Sequence, residues 1–226
     1  MNLDLYSTTA KSTIQKLTII LGQLIFIAVS IYIMLKNTSL PDMDQITAKE
    51  FALMVLCIFN ILNFLRFLIT LFIFIKRRIP YEEMFSVLMA FGLYYIGFIL
   101  LAIIIDFHNV PLIITGIALF FLGCFFNTFS ELQRHQWKRD DTNKGKIYTG
   151  GLFSVSRHPN FFGDLLWVIG YALVSANPFS VLVPVLIFFF FYLYNIPMQE
   201  KHMLEKYGEA YRKYSKNVKK FIPFVC

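Results

Sequence analysis

The sequence predicts an all-α fold, a polytopic membrane helix bundle, and three observations carry that reading. Hydrophobic residues make up 57% of the 226-residue chain and charged residues only 15%, far from the balance of a soluble domain. The apolar residues gather into six runs that approach or exceed the ~20 residues needed to cross ~30 Å of hydrocarbon as helix. No run alternates apolar and polar residues as a barrel strand does, so in lipid the backbone must satisfy its hydrogen bonds within helices.

In order, the runs lie at about Leu17 to Leu35, Phe51 to Ile75, Met84 to Ile105, Val110 to Phe126, Phe161 to Ser175 and Phe179 to Met198. The first is longer than the apolar region of a signal peptide and lacks a small-residue cleavage site, so it is expected to stay as an anchor. On the second, Asn63 and Arg66 are three residues apart and share a helix face. An intramembrane arginine costs at least ~2.5 kcal/mol on insertion scales, so this pair is expected either to wall a substrate cavity or to clamp helices together. The third run carries Tyr94 and Tyr95, and the turn after it places Asp106 and His108 in solvent. The fourth and fifth runs are the shortest and are expected to lean on their neighbours.

Beyond Phe126 the fourth helix should continue into water, because Glu131, Arg134, His135 and Lys138 fall at i, i+3, i+4 and i+7 and form one stripe. A turn follows at Asp140, Asp141, Thr142, Asn143, Lys144 and Gly145. Then comes G-G-L-F-S-V-S-R-H-P-N-F-F-G-D, from Gly150 to Asp164, where polar groups abut an apolar run. Pro159 stops any incoming helix and Asn160 is expected to cap the next one. The bland reading of Arg157 and His158 is headgroup anchoring; the functional one is ligand binding. After the last run, from Glu200, Met203, Leu204, Tyr207, Tyr211 and Tyr214 make a 3-4 stripe on a basic amphipathic helix. Such a helix can lie on headgroups, or its tyrosines can stack on a planar ring.

Charge sets the expected orientation. The N-terminal segment, the loop with Lys76, Arg77 and Arg78, the segment after Phe126 and the C-terminal tail hold 18 of the 21 Lys and Arg residues. That imbalance predicts an integral membrane protein with both termini cytoplasmic and an even number of crossings. The partners it implies are the lipid bilayer and a lipophilic small molecule, with no sign of nucleic-acid binding. Cys57 and Cys124 sit inside apolar runs as packing residues, and Cys226 has no prenylation box after it. His135, His158 and His202 share the basic side without a cysteine or carboxylate at ligand spacing, so no metal is expected. No internal repeat or linker divides the chain. Residues 1–126 read as a four-span part lining a substrate cavity and 127–226 as a cofactor-binding part of one integrated domain.

The run G-L-F-S-V-S-R-H-P-N-F-F-G-D-L-L-W, then I-G-Y-A-L, then E-x-x-x-L-E-K-Y-G-x-x-Y-x-x-Y and a closing F-I-P-F, resembles the C-terminal half of the steroid 5-alpha-reductase and sterol reductase families. It is most similar to the DUF1295-type group placed with them. The likeness covers about Asn127 to Phe224 and, more weakly, Arg66 and Arg77. The same scaffold is shared with isoprenylcysteine carboxyl methyltransferases and phospholipid methyltransferases, which also carry R-H-P and a late E-x-x-L. Three details favour the reductases: Asn160 after R-H-P, Asp164 after F-F-G, and the missing methyltransferase pattern R-x-x-x-E-E, whose Arg and first Glu would fall on Asn195 and Gln199. Asn177-Pro178 after the fifth run points the other way.

The resemblance implies NADPH as cofactor. Arg134 and Lys138 would meet its phosphates, Tyr148 and Phe153 would flank the nucleotide, and Arg157, His158, Asn160 and Phe161 would hold it. Gln199, Met203, Tyr207 and Tyr214 would close the site, with Asp164 and Glu200 as acceptors for ribose hydroxyls or the carboxamide. The activity implied is reduction of a C=C bond in a steroid- or lipid-like substrate, in a bacterial inner membrane or the endoplasmic reticulum. Tyr94 or Tyr95 is the proton donor that residue chemistry alone suggests. The alternatives are an S-adenosylmethionine-dependent methyltransferase acting on a prenylcysteine carboxylate or lipid headgroup, and a non-catalytic lipid-binding scaffold.

Overall fold

The computed structural model describes residues 12–38, 46–104 and 107–225, so Asp106 and Cys226 lie outside the described residues. Every regular element among them is helical. Helix α1 (Thr13–Asn37) is one unbroken apolar rod. Thr47 starts α2 (Ala48–Ile69) with a reciprocal capping box, its side chain accepting from Glu50 N and the Glu50 carboxylate accepting from Thr47 N. The helix then widens into a π-turn, Thr70–Phe74. Lys16 of α1 donates to the carbonyls of Leu71 (2.6 Å) and Ile75 (3.2 Å), backbone acceptors that a helix end leaves without intrahelical donors.

Helices α3 (Tyr81–Gly92) and α4 (Phe98–Ile104) form a single rod through a π-turn at Leu93–Gly97, which carries Tyr94 and Tyr95. Helix α5 (Val110–Lys138) has 29 residues and runs through the charged stripe. At 1.5 Å per residue it is about 44 Å long, more than the ~30 Å of hydrocarbon. Helix α6 (Pro159–Ser175) has 17 residues, about 26 Å, which falls short of crossing alone. Helix α7 (Leu182–Phe190) continues through a π-turn, Phe191–Asn195, into α8 (Ile196–Tyr207), and α9 (Glu209–Asn217) follows.

Among the described residues, five segments are long and apolar enough to cross a membrane: Thr13–Asn37, Ala48–Phe74, Tyr81–Ile104, Val110–Lys138 and Pro178–Tyr207. The remaining expected run is α6. The chain is therefore an integral membrane protein with a polytopic helix bundle. Two local expectations change. Pro159 occupies the first position of α6, so His158 stands at the cap and Asn160 lies inside the first turn. The single amphipathic C-terminal helix is broken at Gly208, whose φ of 52° only glycine adopts readily, and its stripe is divided between α8 and α9.

The described residues form two compact units. One comprises Met1–Ile117 with Tyr171–Ser180, the other Ala118–Gly170 with Val181–Cys226. The first is organised around Asn60, which is fully buried. Its Nδ2 donates to Ser30 Oγ (3.0 Å) and to the Tyr95 carbonyl (3.2 Å), and its Oδ1 accepts from the Tyr171 hydroxyl (2.9 Å). In the second unit, α5 and α6 meet at Gly123 and Gly163, where a Cβ on either would come within 2.4 Å of a backbone nitrogen of the other helix. Close approach of this kind is what small residues permit inside a membrane bundle. Phe221, fully buried, packs with Leu165 and Ile196 and secures the segment after α9 to this unit.

Candidate cofactor site

The expected cofactor residues all fall in the unit Ala118–Gly170 with Val181–Cys226, and Arg157, His158, Phe161 and Glu200 meet at the turn before α6. Ser156 is fully buried; its hydroxyl donates to the Phe221 carbonyl (2.7 Å) and accepts from the His158 N–H (3.2 Å). Arg157 is tied down three times: its N–H donates to the Lys219 carbonyl (2.8 Å), Nη1 to the Ser215 carbonyl (2.9 Å), and Nη2 pairs with Glu200 Oε1 (2.8 Å). The two side chains are 10% and 21% exposed, so this is a largely desolvated ion pair. His158 Nε2 lies 3.6 Å from the same carboxylate oxygen, just beyond hydrogen-bond distance.

The His158 ring stacks on Phe161, and Phe161 stacks on Phe191, with centroids 5.8 and 4.6 Å apart. Burial holds the His158 imidazole below its ordinary pKa, while the Glu200 carboxylate pulls partly in the other direction. The ring is therefore neutral near pH 7. Besides Glu200 Oε1, which has Arg157 Nη2 as its ion-pair partner, three buried polar atoms here make no hydrogen bond among the described residues: Arg157 Nε, His158 Nε2 and the Tyr211 hydroxyl. Buried polar atoms are nearly always paired, so three left over in one cluster suit a ligand that brings both donors and acceptors.

A second group adjoins Phe153. Tyr148 packs edge-on against Phe153 and tilted against Trp137, and the Arg134 guanidinium lies 5.7 Å over the Phe153 ring. Arg134 pairs with Glu131. The loop is fixed because Gln133 Oε1 accepts from Leu152 N (3.0 Å), and Gly151, with φ of 54°, lets the chain turn beside it. Tyr214 is used structurally: its hydroxyl donates to the Phe153 carbonyl (2.6 Å). Lys138 lies within electrostatic range of Arg134 and Lys206, and Arg134 within range of His158, so cations from α5 and α8 collect near the buried cluster.

Other expected residues serve different ends. Asn160 offers its carbonyl to Asn127 Nδ2 (3.2 Å), and Asp164 Oδ1 accepts from Asn127 Nδ2 and Trp167 Nε1, both at 2.8 Å, which joins α5 to α6. Gln199, Met203 and Tyr207 are half-buried on α8, with Lys206 over the Tyr207 ring. Asn63, Arg66, Tyr94 and Tyr95 belong to the other unit. There Arg66 donates from Nε and Nη2 to Asn63 Oδ1 on its own helix, Tyr94 packs on Phe98, and the Tyr95 hydroxyl donates to Gln23 Oε1 (3.1 Å). Sequence reasoning placed Tyr211 on the tyrosine stripe without assigning it to the cofactor site, and overlooked Ser156, Gln23 and Asn60. Asn60 and Gln23 had a readable signal, an amide within an apolar run.

The family profile described as "Protein of unknown function (DUF1295)" matches residues 75–218. The chain belongs to the DUF1295 family. The DUF1295 match contains Ser156, Arg157, His158, Glu200 and Tyr211, whereas the Lys219 and Phe221 carbonyls that anchor the turn lie just beyond it. Three relatives show which chemistries its surroundings include. A probable O-methyltransferase, ustE, of Ustilaginoidea virens is 42% identical over 67 residues, 30% of this chain and 24% of that protein. Protein-S-isoprenylcysteine O-methyltransferase B of Arabidopsis thaliana is 30% identical over 80 residues, 35% of this chain and 41% of that protein. The 3-oxo-5-alpha-steroid 4-dehydrogenase 2 of Sus scrofa is 33% identical over 110 residues, 49% of this chain and 41% of that protein. Each match spans less than half of the relative's length, and the relatives are enzymes of two kinds.

Proposed function

We propose that this DUF1295 protein is a membrane-embedded, NADPH-dependent reductase of a C=C bond in a lipophilic, steroid- or lipid-like substrate. The observation that carries the proposal is charge. Residues 127–226 hold 13 Lys and Arg against 7 Asp and Glu, and Arg134, Lys138 and Lys206 cluster beside the buried polar group. NADPH is a multiply charged anion, whereas S-adenosylmethionine carries a net positive charge. A cluster of three cations against one carboxylate, Glu131, attracts the first and repels the second.

The residues present fit a dinucleotide. Arg134, Lys138 and Lys206 would face phosphates, with the Arg134 fork suited to a bidentate contact. Tyr148 and Phe153 would flank a planar ring, and Arg157 Nε and His158 Nε2 would gain the partners they lack in the chain. Bound NADPH would supply a hydride. The protein's own part is to hold the coenzyme in one orientation and to keep water from it, which the buried Arg157–Glu200 pair and the Phe161–Phe191 stack support.

The methyltransferase reading is kept because two of the three relatives above carry that name. Titrating the purified protein in detergent separately with NADPH and S-adenosylmethionine divides the two. The reductase reading expects NADPH binding, weakened by Lys138→Ala and by added salt. Binding of S-adenosylmethionine alone would overturn it.

A further inference from the structure

We propose that Tyr211 is a ligand-binding residue, whose hydroxyl joins Glu200, Arg157 Nε and His158 Nε2 in a subsite for a head that sets a carbonyl-type acceptor beside an N–H donor. On the reductase reading, on which this assignment rests, that head is the primary carboxamide of the nicotinamide ring. The α-aminocarboxylate of S-adenosylmethionine has the same pairing of acceptor and donor, so the chemistry is shared and the experiment separates the sources.

Four observations lead there. Tyr211 is 5% exposed and its hydroxyl has no hydrogen-bond partner among the described residues, while Tyr214, one turn later on the same face, spends its hydroxyl on the Phe153 carbonyl. The Tyr211 hydroxyl lies beside the Glu200 carboxylate, near enough for a weak hydrogen-bonding interaction but outside good hydrogen-bond geometry, and within electrostatic reach of Arg157. Its position is fixed, because α9 starts on the Gly208 carbonyl, which accepts from Tyr211 N, and is fastened to Arg157 through the Ser215 carbonyl, while the segment after it is held through the Lys219 carbonyl. The charges balance, since the Arg157 guanidinium and the Glu200 carboxylate compensate each other. With the imidazole neutral, the cluster suits a neutral or zwitterionic head better than a phosphate.

Donors and acceptors are also matched in number. Glu200 and the neutral imidazole at His158 Nε2 can accept the two N–H groups, and Arg157 Nε and the Tyr211 hydroxyl can donate to the two lone pairs of the oxygen. A buried hydroxyl left without a full partner destabilises the fold, and a ligand oxygen accepting from it would offset that cost.

The test uses the full chain in detergent and Tyr211→Phe, which removes one oxygen and keeps the ring. Thermal unfolding is measured alongside the binding of NADPH, of S-adenosylmethionine and of 2′-phospho-ADP-ribose, which lacks the nicotinamide. The expected result is an unfolding temperature at or above that of the wild type, a loss of at least about tenfold in NADPH affinity, and unchanged affinity for 2′-phospho-ADP-ribose. If the wild type binds S-adenosylmethionine instead and Tyr211→Phe weakens that, the subsite stands and the reductase reading falls. Unchanged affinity for whichever coenzyme binds overturns the subsite. So does equal weakening of NADPH and 2′-phospho-ADP-ribose, or a fall in unfolding temperature together with affinity. Failure of the wild type to bind either coenzyme overturns both proposals.

Discussion

Replacing Arg157 by methionine leaves Glu200 as a buried, uncompensated charge and should destabilise the protein far more than the loss of a surface ion pair. The pair is 2.8 Å long, with side chains 10% and 21% exposed. Removing one partner of a buried pair costs about 3–5 kcal/mol. At about 2–4 °C per kcal/mol for a chain of this size, the unfolding temperature should fall by about 6–20 °C. Glu200→Leu should do comparable damage. The double variant, with no charge left to strand, should recover most of the loss. It retains about 1–3 kcal/mol from the Ser215 carbonyl that Arg157 no longer satisfies. Unfolding in detergent can be followed by the fluorescence of Trp137 and Trp167, and both single variants and the double variant should lose coenzyme binding. Losses that simply add in the double variant would refute the reasoning, because they would mean that the two side chains act independently.

Two further outcomes follow from the same geometry. His158 has a folded pKa below its ordinary value, so between that value and about pH 6.5 the unfolded chain binds a proton that the folded chain does not. Stability should therefore fall as pH drops below about 6.5, with a slope of up to about 1.4 kcal/mol per pH unit, and His158→Gln should flatten the curve; identical slopes would contradict this. Gly163→Ala would press a Cβ to 2.4 Å from Asn127 N and 2.6 Å from the Gly123 carbonyl, whereas Gly22→Ala meets only the movable tip of Leu88. The first should cost about 1–3 kcal/mol or more and the second clearly less, so equal melting temperatures for the two variants would count against the close α5–α6 contact.

The transmembrane helices were legible because lipid imposes a length and a composition that few other environments share. The extension of α5 was legible too, since Glu131, Arg134, His135 and Lys138 keep helical spacing beyond the apolar run. Boundaries set by single residues were harder. Asn160 is a good capping residue, yet Pro159 fits the first helical position better and moves the start of α6. Gly208 divides a stripe whose periodicity alone reads as one helix. Least legible were the long-range pairings. Arg157 with Glu200 and Ser156 with the Phe221 carbonyl depend on how distant segments meet, which local patterns do not encode. Asp164 shows the same limit: its chemistry suits a ribose hydroxyl, but Asn127 and Trp167 both donate to its Oδ1.

The central claim concerns which group the coenzyme donates, and isotope transfer addresses it directly. Purified protein would be incubated with a membrane lipid extract and either NADPH deuterated at the nicotinamide C4 or S-adenosylmethionine carrying a CD3 methyl, and the lipids analysed by mass spectrometry. The account predicts deuterium from NADPH in a saturated lipid product, lost in the Arg157→Met and Glu200→Leu variants. Transfer of CD3 to a lipid or carboxylate, with none of the nicotinamide deuterium, would contradict it.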